Sequence, residues 1–287
     1  MRNILPILTV VAVIVALWYA LAVVLNAPWA YSKAERAEQT LSFSEMVSDT
    51  MAQKKPRLPA PHQVAVEIWE TTAEKKITSK RSLIYHGWIT LQATLLGFAF
   101  GIALGIGLAV AIVYFRVVDM SVMPWIIASQ TVPILAIAPM IVVVLAALQV
   151  DDIVAKGVIS MYLSFFPVVV GMVKGLRSPD GMLMDQMKTY SASASQTFWK
   201  LRLPNSVPYL FTSLKVGAAA SLVGAVVAEL SLSQNGGLGA RLLAGSYYGQ
   251  TIQIWSALLS AATLAALMVM SLGALEKATL KRMGMAA

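Results

Sequence analysis

Six stretches of this chain are apolar for the length that a helix needs to cross a bilayer, and nothing constrains its fold more. About 20 apolar residues traverse the hydrocarbon as a helix. The stretches are 4–25, 87–115, 122–148, 153–175, 207–230 and 253–273. With 58% of its residues apolar and 13% charged over 287, the chain is too greasy for a soluble domain of this length. The expectation is an all-α integral membrane protein with six transmembrane helices.

The net charge of +8 could suggest nucleic acid, but the Lys and Arg side chains lie in loops that flank apolar runs rather than on one basic face. Nucleic acid is therefore not an expected partner. The absence of cysteine excludes disulfides, zinc-thiolate sites and thiol nucleophiles. His62 and His86 have no acidic partners at metal spacing, so neither is read as a catalytic or zinc-binding group. No phosphate-cradling G-x-x-x-x-G-K-[ST] run occurs either.

The first apolar run follows Arg2, carries no charge and exceeds a signal-peptide core, so residues 1–27 are expected to stay as an anchor helix. Cleavage after Ala27 is disfavoured by Pro28. Residues 28–82 form the one long polar segment. Within it Leu58-Pro59-Ala60-Pro61 cannot be regular helix and reads as an extended strap. Val64, Ile68 and Trp69 then suggest an amphipathic helix at the headgroups. The part over 28–56 reads as a solvated loop, with contact to a partner as the alternative. Residues 83–287 hold the remaining five spans.

Gly97, Gly101 and Gly105 recur on one helix face, where small residues let backbones approach closely; packing within the chain is the simpler expectation than contact with a second copy. In the third span, Gln130-Thr131-Val132-Pro133 sets amide and hydroxyl groups beside a proline break. Freed carbonyls at that depth face protein or a water-filled path, unless Thr131 satisfies the kink itself. The fourth span carries Ser160, Tyr162 and Ser164. The fifth is crowded with small residues around Ser221, and is either packed centrally or lining a channel. Glu229 closes it, an acid that is costly at a membrane boundary if unpaired.

Between the fourth and fifth spans lies a polar stretch, 176–208. Ser178-Pro179 reads as an N-cap and first turn, and Leu183, Met187 and Tyr190 share one face of a short helix. Ser193 with Gln196 is a capping box that opens a second short helix bearing Phe198 and Leu201, which Pro204 ends or turns into the next span. Two short helices at an angle with exposed apolar side chains read as a docking knob for another protein, or as an ordinary interfacial loop.

This stretch resembles the EAA loop of ATP-binding-cassette importer permeases. Asp185-Gln186-Met187, Ser191 and Leu201-Arg202-Leu203-Pro204 stand at the positions of Glu-Ala-Ala, Gly and aliphatic-x-Leu-Pro. The acid and the Leu-Pro match, Ser191 replaces the glycine, and neither alanine is kept. The variant of the nitrate, sulfonate and taurine branch fits better, through Ala192-Ser193, Phe198, Lys200 and Leu203-Pro204. A Leu-Pro-x-Pro element, the Pro133, Ala136 and Pro139 run, and Ala228-Glu229 followed by Gly237-Leu238-Gly239 add to the resemblance.

The resemblance implies a type I ABC importer-like permease fold with cytoplasmic coupling helices, the EAA-like loop spanning 177–206. It implies a pair of permease subunits, of one kind or paralogous, working with an ATPase dimer and a periplasmic binding protein in the bacterial cytoplasmic membrane. ATP and Mg would be held by the ATPase, with no cofactor and no catalytic group in this chain. The residues expected to couple to the ATPase are Asp185, Met187, Tyr190, Ser193, Phe198, Trp199, Leu203 and Pro204. Those expected along the translocation pathway are Gln130, Thr131, Ser164, Ser221 and Glu229. Substrates of that branch include nitrate, sulfonates and taurine, riboflavin and pyrimidine precursors. An ion-coupled carrier and a non-transporting scaffold are the rival classes; the first is disfavoured because no inverted repeat is found. With the long 28–82 segment set aside, Arg2, Arg116, the cations from Lys174 to Lys215 and those at the C-terminus oppose only Lys156 and Arg241, which places both termini inside.

Overall fold

The computed structural model describes residues 4–285. Arg2, counted above among the flanking cations, lies outside them. Five helices among the described residues are long and apolar enough to cross a membrane. A sixth span results if a bent helix pair counts as one, in agreement with the six apolar runs. The chain divides into two compact units, one of residues 1–86 with 240–260, the other of 87–239 with 261–287.

The first unit is organised on α1 (Ile4–Arg36), a single helix that continues through Pro28 for two more turns. The polar segment therefore begins as helix rather than at residue 28. Proline removes one backbone donor, a loss that long apolar helices tolerate, and Ser32 Oγ donates back to the Pro28 carbonyl at 2.8 Å. The segment read as a solvated loop instead folds into α2 (Phe43–Ala52), which packs on α1 and buries Met46 and Thr50.

Ala60 is extended, at φ −70° and ψ 150°, and the strap residues Leu58 and Pro59 before it lie on α1. Asn26 is buried and serves both sides of the strap: its amide donates to the Leu58 carbonyl at 2.8 Å, and its Oδ1 accepts from Arg57 N at 2.7 Å and Leu58 N at 3.2 Å. Trp18 Nε1 donates to the Pro59 carbonyl at 2.9 Å. One buried amide thus meets backbone groups that no ladder or helix satisfies. Pro61 then opens α3 (Pro61–Trp69) at its first turn, with Gln63 Oε1 accepting from Ala60 N at 3.0 Å.

The second unit begins four residues into α4 (Leu83–Tyr114). Next come α5 (Arg116–Ser129) and α6 (Ile134–Ala147), bent by 103° across residues 130–133, where Pro133 forbids continuation. α7 (Asp152–Leu176), α8 (Gly181–Thr189), α9 (Ala194–Thr197) and α10 (Leu203–Ser231) follow. α11 (Leu238–Tyr247) and α12 (Thr251–Arg282) come last, with residues 240–260 belonging to the first unit.

Small residues knit α4, α7 and α10 together. Gly97, Gly101 and Gly105 of α4 face Ser160, Ser164 and Val168 of α7, each step of four residues on one helix matched by four on the other. A Cβ at Gly105 would come within 2.8 Å of Val168. On α10, a Cβ at Gly224 would come within 2.7 Å of the Ser160 Cα, and on α7 one at Gly175 would come within 2.8 Å of Ser206. The glycine face therefore packs within the chain. Without a hydrophobic driving force between helices in lipid, close backbone approach and interhelical hydrogen bonds supply the association. Phe98, Ile112, Val168, Met172, Leu176 and Leu214 fill the centre of this unit.

Candidate coupling surface and helix core

α7 leaves its packed environment at Leu176, and its end is fixed on two sides. Arg177 pairs with Asp119 of α5 at 2.7 Å, and Arg202 Nη1 donates to the Leu176 carbonyl at 3.0 Å. Ser178 is not the N-cap of the next helix: its Oγ donates to the Gly175 carbonyl at 2.7 Å and so closes α7. The following helix starts two residues later, after Asp180, because Pro179 lies in the turn between them. This corrects the sequence expectation for that helix start.

α8 buries none of its side chains. Met182 is 77% exposed, Tyr190 just past the helix 72%, and Trp199 63%. Met187 is half-buried, and Asp185 is exposed and paired with Lys188 at 2.7 Å. The chain turns at Ser191, which holds φ at +51°, the left-handed region that favours glycine. Ser193 then caps α9 by the expected reciprocal pair: its Oγ accepts from Gln196 N at 3.2 Å, while Gln196 Oε1 accepts from Ser193 N at 2.9 Å.

α9 does not stand apart from the next span. It passes through a π-helical turn, Phe198–Arg202, directly into α10, with Pro204 in the first turn of that helix. Residues 194–231 are thereby one helical run. Phe198 and Leu203 point into the helix core, Phe198 packing edge-on against Tyr114 at 5.9 Å between centroids, while neighbouring Trp199 turns outward. The surface is thus an exposed helix, α8, held between two helices that run straight into the packed interior.

The residues expected along a pathway fall into two groups. Gln130 and Thr131 sit exposed at the α5–α6 bend. Thr131 Oγ1 donates to the Ala128 carbonyl at 2.7 Å, a carbonyl that also accepts from Thr131 N at 3.0 Å. Tyr162 Oη donates to the Ser129 carbonyl there as well. Ser164, Ser221 and Glu229, by contrast, are fully buried between helices of this chain and face no open space. Ser221 Oγ donates to the Thr94 carbonyl at 2.9 Å, and Ser160 Oγ donates to the Ser221 carbonyl at 2.7 Å. A small hydroxyl suits a crowded helix contact as well as a channel wall, and here it staples helices.

Glu229 is the centre of a second cluster. Its carboxylate accepts from Thr90 Oγ1 at 2.8 Å and from Gly239 N at 2.8 Å, and Thr90 Oγ1 accepts from Leu238 N at 2.9 Å. Lys156, also buried, donates to the Gly236 carbonyl at 3.3 Å. The glycines of this loop are required by contact: a side chain at Gly237, whose φ is +118°, would overlap the Glu229 carboxylate. The acid therefore pins the 236–239 backbone to α4 and α10. Thr90, Lys156 and the Lys215–Glu276 ion pair between α10 and α12 were not anticipated. Lone polar residues in apolar runs were the available signal, because a buried charge needs a partner.

A bundle of apolar spans closely packed through glycines, with one exposed helix between two of them, defines a multi-pass membrane protein. Residues 82–284 match the family of binding-protein-dependent transport system inner membrane components, and the chain belongs to it. It is similar to the formylaminopyrimidine transport permease protein ThiX of Halalkalibacterium halodurans, 31% identical over 63% of this chain and 68% of that protein. It also resembles the riboflavin transport system permease protein RibX of Chloroflexus aurantiacus, 26% identical over 77% and 78% of the two chains. The putative aliphatic sulfonates transport permease protein SsuC of Bacillus subtilis is 24% identical over 72% and 73%.

Proposed function

We propose that this chain is the membrane-spanning subunit of an ATP-driven importer, set in the bacterial cytoplasmic membrane with both termini inside, and that α8 with the turn into α9 receives an ATPase dimer. The observation that carries this reading is an exposed, partly apolar helix joined at both ends to tightly packed spans. Met182, Met187, Tyr190 and Trp199 supply apolar contact, and Asp185 supplies charge. Ser193, Phe198, Leu203 and Pro204 hold α9 in line with α10.

ATP and Mg bind to the ATPase; this subunit supplies binding surface and movement, and no catalytic group. Closure of the ATPase dimer displaces α8. The displacement passes through Arg202 to the end of α7 and through Phe198 to the helix core. Because the interior is close-packed, α7 and α10 move as bodies, and the bundle rocks between inward-open and outward-open states. A second permease, identical or paralogous, completes the pathway, and a periplasmic binding protein delivers the solute.

Within the pathway Gln130 and Thr131 form part of the wall. Ser164, Ser221 and Glu229 act behind it, fixing the register of the helices that carry the wall. The names of the relatives point to a small polar solute of the sulfonate, riboflavin or pyrimidine-precursor kind. Uptake into proteoliposomes holding this chain, its ATPase and its binding protein tests the whole. It should require ATP and persist without an ion gradient; uptake that survives ATP depletion and collapses with the gradient would make the chain an ion-coupled carrier.

A further inference from the structure

The apolar run of α1 ends at Leu25, and the helix then changes character. Leu21, Leu25 and Trp29 form one exposed ridge, and Trp29, Ser32, Lys33 and Arg36 continue the same side of the helix for two more turns. Trp29 and Tyr31 are exposed just past the apolar run, the depth at which aromatic side chains mark the boundary between hydrocarbon and headgroups.

After α2 the chain returns to this point. Asn26 Oδ1, by accepting from Arg57 N, sets Arg57 next to the basic face, and Lys33 joins Asp49 of α2 at 2.6 Å. Trp29, Lys33, Arg36 and Arg57 thereby line a concave pocket of about 350 Å³. Three cations converge on it and one carboxylate answers them. Among the described residues, Arg36 and Arg57 take part in no ion pair. Like charges gathered in this way repel unless an anion joins them.

We propose that this pocket binds the phosphate of an anionic phospholipid headgroup, with Arg36 and Arg57 donating to its oxygens and an acyl chain lying along the Leu21–Leu25 ridge. The planar guanidinium fork matches phosphate geometry, and the membrane supplies that group at the depth where the pocket opens. The apolar ridge leading up to the pocket favours a lipid over a free anion. The segment between α1 and the strap acquires a purpose on this account: it carries Arg57 back to the headgroup level.

The test uses the full chain, purified in detergent and titrated with phosphatidylglycerol or phosphatidylcholine while bound lipid is counted by native mass spectrometry. Phosphatidylglycerol should bind in preference, and the pair Arg36→Gln/Arg57→Gln should weaken it by roughly 30-fold at an unchanged unfolding temperature. Arg36→Lys/Arg57→Lys, which keeps charge and loses the fork, should fall between. Lys75→Gln/Lys76→Gln, the same charge loss elsewhere in the polar segment, should leave binding intact. Equal loss in that control, or no preference between the two lipids, overturns the proposal. Displacement of the lipid by millimolar inorganic phosphate would make the pocket a soluble-anion site and also overturn it.

Discussion

The hydroxyl oxygens of Ser160 and Ser221 lie 2.6 Å apart in the buried seam between α7 and α10, and through the Thr94 carbonyl the same contact reaches α4. Three spans therefore meet at two serines, one helix turn from the glycines that let them approach. Ser221→Ala should remove these bonds at a cost of about 1 kcal/mol, because each neutral hydrogen bond contributes little net. Ser221→Trp should abolish the fold in detergent, since a fully buried helix contact has no room for an indole. Thermal unfolding followed by tryptophan fluorescence reads both, and a Trp variant that unfolds at the parent temperature would mean that Ser221 faces open space.

The glycines of α4 are not equivalent. A Cβ at Gly101 would overlap Ser164, while at Gly107 it would meet nothing within 4 Å. Gly101→Ala is expected to destabilise by about 1–3 kcal/mol through overpacking. Gly107→Ala should stabilise by about 0.5–1 kcal/mol through the lower chain entropy of alanine. The order of the two unfolding temperatures checks the α4–α7 register; the reverse order would break it.

Glu229 holds Thr90 and the Gly239 amide and opposes the buried Lys156 charge. Glu229→Ala leaves Thr90 Oγ1 and the Gly239 amide without their acceptor and should cost about 1–3 kcal/mol, the scale of an unsatisfied buried donor. Glu229→Gln retains an acceptor for Gly239 and should cost less. Limited proteolysis offers a local readout: residues 233–239 should become cleavable in the Ala variant, and equal protection in all three proteins would contradict the pinning.

Ser191 turns the chain at φ +51° with a side chain that disfavours it. Ser191→Gly should raise stability by about 1 kcal/mol, the left-handed penalty it relieves. An unfolding temperature that fails to rise would mean that the Ser191 side chain itself stabilises the turn.

The apolar runs announced every span, and the four-residue glycine spacing announced the face on which α4 packs, because both are periodic properties of one helix. The Ser193–Gln196 capping box was equally legible, being local chemistry over four residues. What could not be read depended on partners distant in the chain. Pro28 looked like an end, yet α2 supports the helix beyond it; Ser178 looked like a start, yet it closes α7. Ser164, Ser221 and Glu229 had the composition of a pathway, and their buried contacts with Gly97, Ser160 and Thr90 depend on residues distant in the chain. Pro133 foretold a break in the third span without foretelling a bend of 103°.

The central claim is that α8 and the turn after it meet an ATPase. A photo-crosslinking residue placed at Trp199, with a second protein carrying it at Leu21 on the exposed face of α1, tests this in membranes that contain the whole transporter. The account predicts an adduct with the ATPase subunit from position 199 and none from position 21. No adduct from position 199, or one only with a protein on the opposite side of the membrane, would contradict it.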